Sequence, residues 1–124
     1  MNKKNFIKSR LNGFYYAAKG AWILIKSEES IQVQLTVAIA VTAAGFYFKI
    51  TPVEWMMQCL AIGLVISIES LNTAVEEIAN FIHPDFHNKI GKIKDIAAGA
   101  VFFAALIAII IAVFIYWPYI FQKN

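Results

Sequence analysis

The sequence predicts an all-α membrane protein, with an N-terminal amphipathic helix on the membrane surface and three transmembrane helices after it. Three observations predict this class. Of 124 residues, 60% are hydrophobic and 15% charged, and the mean hydropathy of +0.62 belongs to a chain whose solvent is partly lipid. The apolar residues gather into three runs near the roughly 20 residues that a bilayer-spanning helix needs. The basic residues are unevenly shared: Lys3, Lys4, Lys8, Arg10, Lys19 and Lys26 precede the first run, Lys89, Lys92 and Lys94 separate the second from the third, and only Lys49 and Lys123 fall elsewhere. A net charge of +3 would suggest nucleic acid in a water-soluble chain. Here the asymmetry is a topology signal, placing the N-terminus and the 83–94 loop in the cytoplasm and the 49–54 turn and the C-terminus outside.

The chain reads as one domain over 1–124, without a secretory signal, because Met1 to Lys26 is basic and amphipathic rather than a basic tip before an unbroken apolar stretch. The cytoplasmic, interfacial segment covers 1–28. Within it, Leu11, Phe14, Ala18, Trp22 and Ile25 share one helical stripe, and Asn12, Tyr16, Lys19 and Lys26 another. Such a helix lies in the interface with its lysines toward headgroups. The first span covers 31–48 and has no internal charge.

In the turn that follows, "TPVEW", Thr51 suits an N-cap, Pro52 the first helical position and Glu54 the third, which completes a capping box. The second helix then runs over 52–82, until Pro84 turns His83 away from helical geometry. At about 1.5 Å per residue it is about 46 Å long against a hydrocarbon core of about 30 Å, so its last turns stand in the cytoplasmic interface. A loop is expected over 83–94 and the third span over 95–117. In that span Ala100, Ala104, Ala108 and Ala112 repeat at the spacing of a close-packing seam. Trp55, Tyr116, Trp117 and Tyr119 read as an outer aromatic belt, and Trp22 as an inner anchor. Cys59 is the only cysteine, which excludes an intrachain disulfide and leaves a packing residue.

The second helix carries the unusual stretch "IESLNTAVEEIAN". Glu69, Asn72, Thr73, Glu76 and Asn80 fall at i, i+3, i+4, i+7 and i+11 and share one face, with Glu77 slightly off it. Glu69 lies about 25 Å from the outer start of this helix and Glu76 about 36 Å, so Glu69 stands at the inner edge of the hydrocarbon and Glu76 among the headgroups. A charge held at membrane depth costs about 3 kcal/mol, so this face should meet protein, water or a ligand rather than lipid tails. Taken singly, Glu76 and Glu77 also fit solvated interface charges, and Asn72 and Thr73 fit interhelical hydrogen-bonding groups.

Other polar groups fall on the same membrane side. Glu28 and Glu29 precede the first span, and "HPDFHNKIGKIKD" leads through Lys94 to Asp95, which also suits a helix cap. Lys89 and Lys92 fit topology signals, and His83 and His87 fit either solvated loop residues or metal ligands. Together, carboxylates, a lysine and a helix N-terminus are what a Mg-bound polyphosphate requires. "IGKIKD" is not a Walker A motif, and no protein-kinase signature is present, so nucleotide chemistry here needs another scaffold.

These residues resemble the small bacterial integral-membrane diacylglycerol kinases and undecaprenol kinases. "ESLNTAVEEIAN" resembles the family's E-x-L-N-[ST]-A-[IV]-E stretch, "KIKDIAAGAV" its Lys-Asp motif with the small residues after it, and "AAKGAWILIKSEESIQVQL" keeps its Gly20 and Glu28 spacing. The likeness covers residues 10 to 117. It implies an ATP-dependent lipid kinase of the bacterial cytoplasmic membrane, assembled as a homotrimer with sites between neighbouring subunits. It further implies Glu69 as the general base toward the lipid hydroxyl with Asn72 close by, and Glu28 and Glu76 as holders of the Mg²⁺ that bridges ATP phosphates. Lys94 and Asp95 match nucleotide contacts, Asp85 and His87 fall in the loop that contacts the nucleotide, and Arg10 and Tyr16 are further candidates on the surface helix. Asn80 departs from the pattern, since many members have Asp there; an amide still hydrogen-bonds but adds no charge. The acceptor is expected to be diacylglycerol or undecaprenol, and the wording "ITPVEW" and "LNTAVE" looks more like the undecaprenol-kinase branch.

Two rival readings come from other classes. A small transporter or ion-translocating subunit would use Glu69 as its cation or proton site, and it would need a polar route toward the outer face. Outward from Ser67 only Gly63 and Gln58 interrupt the apolar run. A noncatalytic scaffold would have no use for Glu28, Glu76, Lys94 and Asp95 on one membrane side.

Overall fold

A computed structural model describes residues 2–122, and within them the chain forms four helices and no strand: α1 (Lys3–Ser27), α2 (Glu29–Phe48), α3 (Pro52–Ile82) and α4 (Asn88–Phe121). The last three are long and apolar enough to cross a membrane. Lys123, counted above among the basic residues of the outer side, lies outside the described residues.

Helix α1 begins at an Asn2 cap, whose side chain accepts from the Lys4 N–H at 3.1 Å, and it buries none of its residues. Its aromatic groups stay accessible, with Phe14 78% and Trp22 59% exposed. Glu28 then breaks the helix. It takes extended geometry, closes α1 through its N–H on Leu24 O, and serves as the residue before α2. Gln32 reaches back from α2 to the carbonyls of Ile25 and Lys26, at 3.0 and 3.2 Å. Orphan carbonyls at the end of α1 are thereby satisfied, and the surface helix is tied to the first span.

At the far end, α2 stops on Lys49 in the left-handed region, with Ile50 N–H returning to Gly45 O at 3.1 Å. Gly45 is required there by close approach: a Cβ on it would lie 2.6 Å from the Trp55 ring. The capping box at the start of α3 is complete, with Glu54 N–H donating to Thr51 Oγ1 at 3.2 Å and Thr51 N–H to Glu54 Oε1 at 2.9 Å. Gln58, Ala61, Val65, Glu69 and Thr73 form its buried stripe, and α4 packs along it more extensively than α2 does.

Helix α4 differs from the sequence expectation. It starts at Asn88, inside the stretch expected as loop, and the connection from α3 is only residues 83–87. His87 provides the cap, its Nδ1 accepting from the Lys89 N–H at 3.1 Å. Asp95 therefore does not cap this helix; it lies two turns inside it. The physical reason is visible in the periodicity, because Ile90, Lys94, Ala97, Val101, Ala104 and Ala108 alternate at intervals of four and three residues along its less exposed side. The alanine seam is only partly internal: Ala104 is buried, Ala108 and Ala112 half-buried, and Ala100 exposed.

A polar cluster joins all three spans toward the end that carries the 49–51 turn. Gln58 Nε2 donates to Val41 O at 3.1 Å, and the Tyr116 hydroxyl lies 2.5 Å from Gln58 Oε1 and 3.1 Å from the same carbonyl. Tyr119 donates to Glu54 Oε1 at 2.6 Å. Phe48 stacks against both tyrosines, with ring centroids 5.9 Å apart in each case. These two tyrosines thus fasten helices together in addition to any part they play in an aromatic belt. Gln58, the polar break a transport route would use, has both ends of its amide engaged in this clamp.

Candidate functional site

The opposite end of α3 carries the acidic face. Glu69 lies on the buried stripe and is only 7% exposed. One turn on, Thr73 is also buried and its hydroxyl donates back to the Glu69 carbonyl at 3.2 Å. That bond satisfies the hydroxyl locally, through the Glu69 backbone rather than its carboxylate. Asn72 and Glu76, both half-buried, stand one turn apart and are joined: Asn72 Nδ2 donates to Glu76 Oε1 at 3.2 Å. The other end of that amide, Asn72 Oδ1, is buried without a hydrogen-bond partner. A buried acceptor left in that state costs about 1–3 kcal/mol unless a donor or a cation meets it. Glu77, off the face, is exposed.

Asn80 completes the face two turns beyond Asn72. Although it is exposed, it is engaged: Lys94 Nζ donates to Asn80 Oδ1 at 2.7 Å, joining α3 to α4 at this end. Residue 80 is thus the position that sequence reasoning set aside and the structure brings in. The signal available for it was its i+11 place on the stripe.

The other expected site residues are distributed around this face rather than gathered on it. Glu28 is half-buried at the α1–α2 junction, and Asp95 is exposed on α4. Asp85 and His87 are exposed in the short connection, where Asp85 O accepts from His83 Nδ1 at 2.8 Å and His87 caps α4. These bonds orient the loop, with His83 protonated on Nδ1 and His87 accepting there. The two rings lie 5.1 Å apart. Arg10 packs its guanidinium over the Phe6 ring at 5.2 Å, and Tyr16 borders a shallow hollow with Asn5, Lys8 and Asn12.

Among the described residues, no group of three or more His, Cys, Asp or Glu side chains is gathered as a ready metal site. The donor set nevertheless fits a hard divalent cation, because Glu76 and the orphaned Asn72 oxygen could both supply oxygen donors from one helix face. Mg²⁺ commonly takes only one or two carboxylates from a protein and completes its octahedron with water and phosphate. Chemically, the end of α3 offers a buried carboxylate for a proton, oxygens for a cation one to two turns further out, and a tethered ammonium one turn beyond Glu76.

Comparison with known proteins gives a consistent result. The family model described as prokaryotic diacylglycerol kinase matches residues 15–116. The undecaprenol kinase of Bacillus subtilis (strain 168) is 35% identical over 115 residues, covering 93% of this chain and 94% of that protein. The diacylglycerol kinase of Escherichia coli (strain K12) is 28% identical over 109 residues, 84% of this chain and 85% of that one. The diacylglycerol kinase of Haemophilus influenzae is 26% identical over 107 residues, covering 86% and 91%.

Proposed function

The chain belongs to the prokaryotic diacylglycerol kinase family and is a membrane lipid kinase, and from that premise we propose that it transfers the γ-phosphate of MgATP to the hydroxyl of a membrane lipid alcohol, with undecaprenol as the preferred acceptor and diacylglycerol as the alternative. The observation that carries the reading is the buried Glu69 carboxylate on the same helical face as the Asn72–Glu76 pair with its orphaned oxygen. The choice of undecaprenol is supported by the 35% identity to a protein of that name, against 28% for a diacylglycerol kinase.

Glu69 accepts the proton as the lipid oxygen bonds to the γ-phosphorus and the bond to the β–γ bridging oxygen breaks, releasing ADP. Its depth suits the task. At about 25 Å along α3 it meets a headgroup hydroxyl without lifting the lipid's chains from the bilayer. Glu76 and Glu28, with Asn72, would hold Mg²⁺, which would supply charge neutralisation of the phosphates. Lys94 and Asp95 contact the nucleotide, with Lys94 toward phosphate, and Asp85, His87, Arg10 and Tyr16 border it from the loop and the surface helix. Positioning and charge neutralisation of this kind are most of what phosphoryl transfer asks of a protein. We place the site on the cytoplasmic side of a bacterial inner membrane, following the lysine asymmetry, and in a homotrimer whose neighbouring subunits complete it.

The test is transfer of labelled phosphate from MgATP by detergent-purified protein, with undecaprenol and diacylglycerol offered in parallel and chelator as a control. Chelator-sensitive labelling of undecaprenol in preference to diacylglycerol is expected. Labelling of diacylglycerol alone would overturn the acceptor assignment, and labelling of neither by folded protein would overturn the reading.

A further inference from the structure

The bond between Lys94 and Asn80 has a consequence for the nucleotide. A lysine ammonium at the end of a flexible four-carbon stem has many rotamers open to it, and it must give up much of that freedom when it grips a phosphate. Here the side chain is already held, with Nζ on Asn80 Oδ1 at 2.7 Å across fourteen residues of sequence. An ammonium has three donors, so the tether occupies one and leaves two. Asn72, Glu76 and Asn80 follow one another at four-residue intervals on α3, which places the tether point about 6 Å beyond the cation-binding pair along the helix. The held charge therefore stands beside the acidic ligands, where the phosphates of a metal-bound nucleotide would lie. Because the acceptor is a neutral amide, the tether fixes the ammonium without cancelling its charge.

We propose that Asn80 is a positioning residue for Lys94, its side-chain oxygen pre-placing the ammonium for the polyphosphate of ATP. The proposal rests on the lipid-kinase reading.

The experiment measures KM for MgATP, KM for lipid and kcat, together with MgATP binding by calorimetry in the absence of lipid, on the full-length protein in detergent micelles. The variants are Asn80→Ala, Asn80→Asp, Lys94→Ala and the Asn80→Ala/Lys94→Ala pair. Asn80→Ala should raise KM and weaken binding for MgATP by about tenfold, the size expected when one rotamer-rich side chain must be immobilised on binding instead of beforehand. KM for lipid should stay within twofold. Asn80→Asp keeps the acceptor oxygen and should restore nucleotide affinity to within about threefold of the parent. In the Lys94→Ala background, Asn80→Ala should have no further effect, since the tether has nothing left to hold. Parent turnover with unchanged nucleotide affinity in Asn80→Ala, or effects of the two substitutions that simply add, would overturn the tether alone. Failure of the parent protein both to bind MgATP and to phosphorylate lipid would overturn the kinase reading and the tether with it.

Discussion

At the scale of single residues, packing gives each group on the acidic face a different state: Glu69 is buried, Asn72 keeps an orphaned oxygen and Asn80 holds Lys94. The intervals from Glu69 to Asn80 required a shared face, but they carried no information on which side of α3 met α4. That is why the 7% exposure of Glu69, the orphaned Asn72 oxygen and the Lys94–Asn80 bond came only from packing. Gly45 shows the same division. Its sequence context, an apolar run ending in aromatics, gives no hint that the Trp55 ring will fill the space where a Cβ would stand. Gly45→Ala should therefore destabilise the protein by about 1–3 kcal/mol, the usual cost of overpacking a well-filled site, read as a lower melting temperature in detergent. An unchanged melting temperature would mean that Trp55 has room to move aside.

At the scale of elements, chain punctuation was the most readable feature. Thr51, Pro52 and Glu54 announced the start of α3, and both bonds of the capping box are present. Thr51→Ala should cost about 1 kcal/mol by removing the acceptor for the Glu54 N–H, and Thr51→Ser should recover most of it. The start of α4 is hidden in the sequence, because three lysines and a glycine between residues 89 and 94 resemble a solvated loop. The period that begins at Ile90 was the better guide, and His87 as its cap has no strong sequence signature. The resemblance singles out Glu28 as a metal holder, with no sign that it ends a helix. In the structure it is the extended residue at which the surface helix turns into the first span, with Gln32 bracing the corner.

At the scale of the whole molecule, composition and the lengths of the apolar runs were enough for three helices able to span a membrane, because those signals come from the solvent rather than from particular contacts. The fastening between spans was not legible. Gln58 read as a break in an apolar helix, yet its amide engages Val41 on α2 and Tyr116 on α4. Gln58→Ala and Tyr116→Phe should each lower stability by about 0.6–2 kcal/mol, and the double variant by less than their sum, since they remove one shared network. Independent, additive losses would mean that the clamp is not a unit. The clamp lies on α3 about 16 Å from Glu69 along the helix, so these variants should change melting temperature far more than turnover.

Everything proposed for this site turns on Glu69 as the base for phosphoryl transfer to a lipid hydroxyl. The most direct test compares lipid phosphorylation by the parent protein and Glu69→Gln, at equal folded concentration and with MgATP binding measured on the same samples. Glu69→Gln should lose at least about a hundredfold in kcat with nucleotide binding little changed, because general-base catalysis contributes on the order of 10²–10⁴ and the amide preserves size. Full turnover in Glu69→Gln would contradict that role.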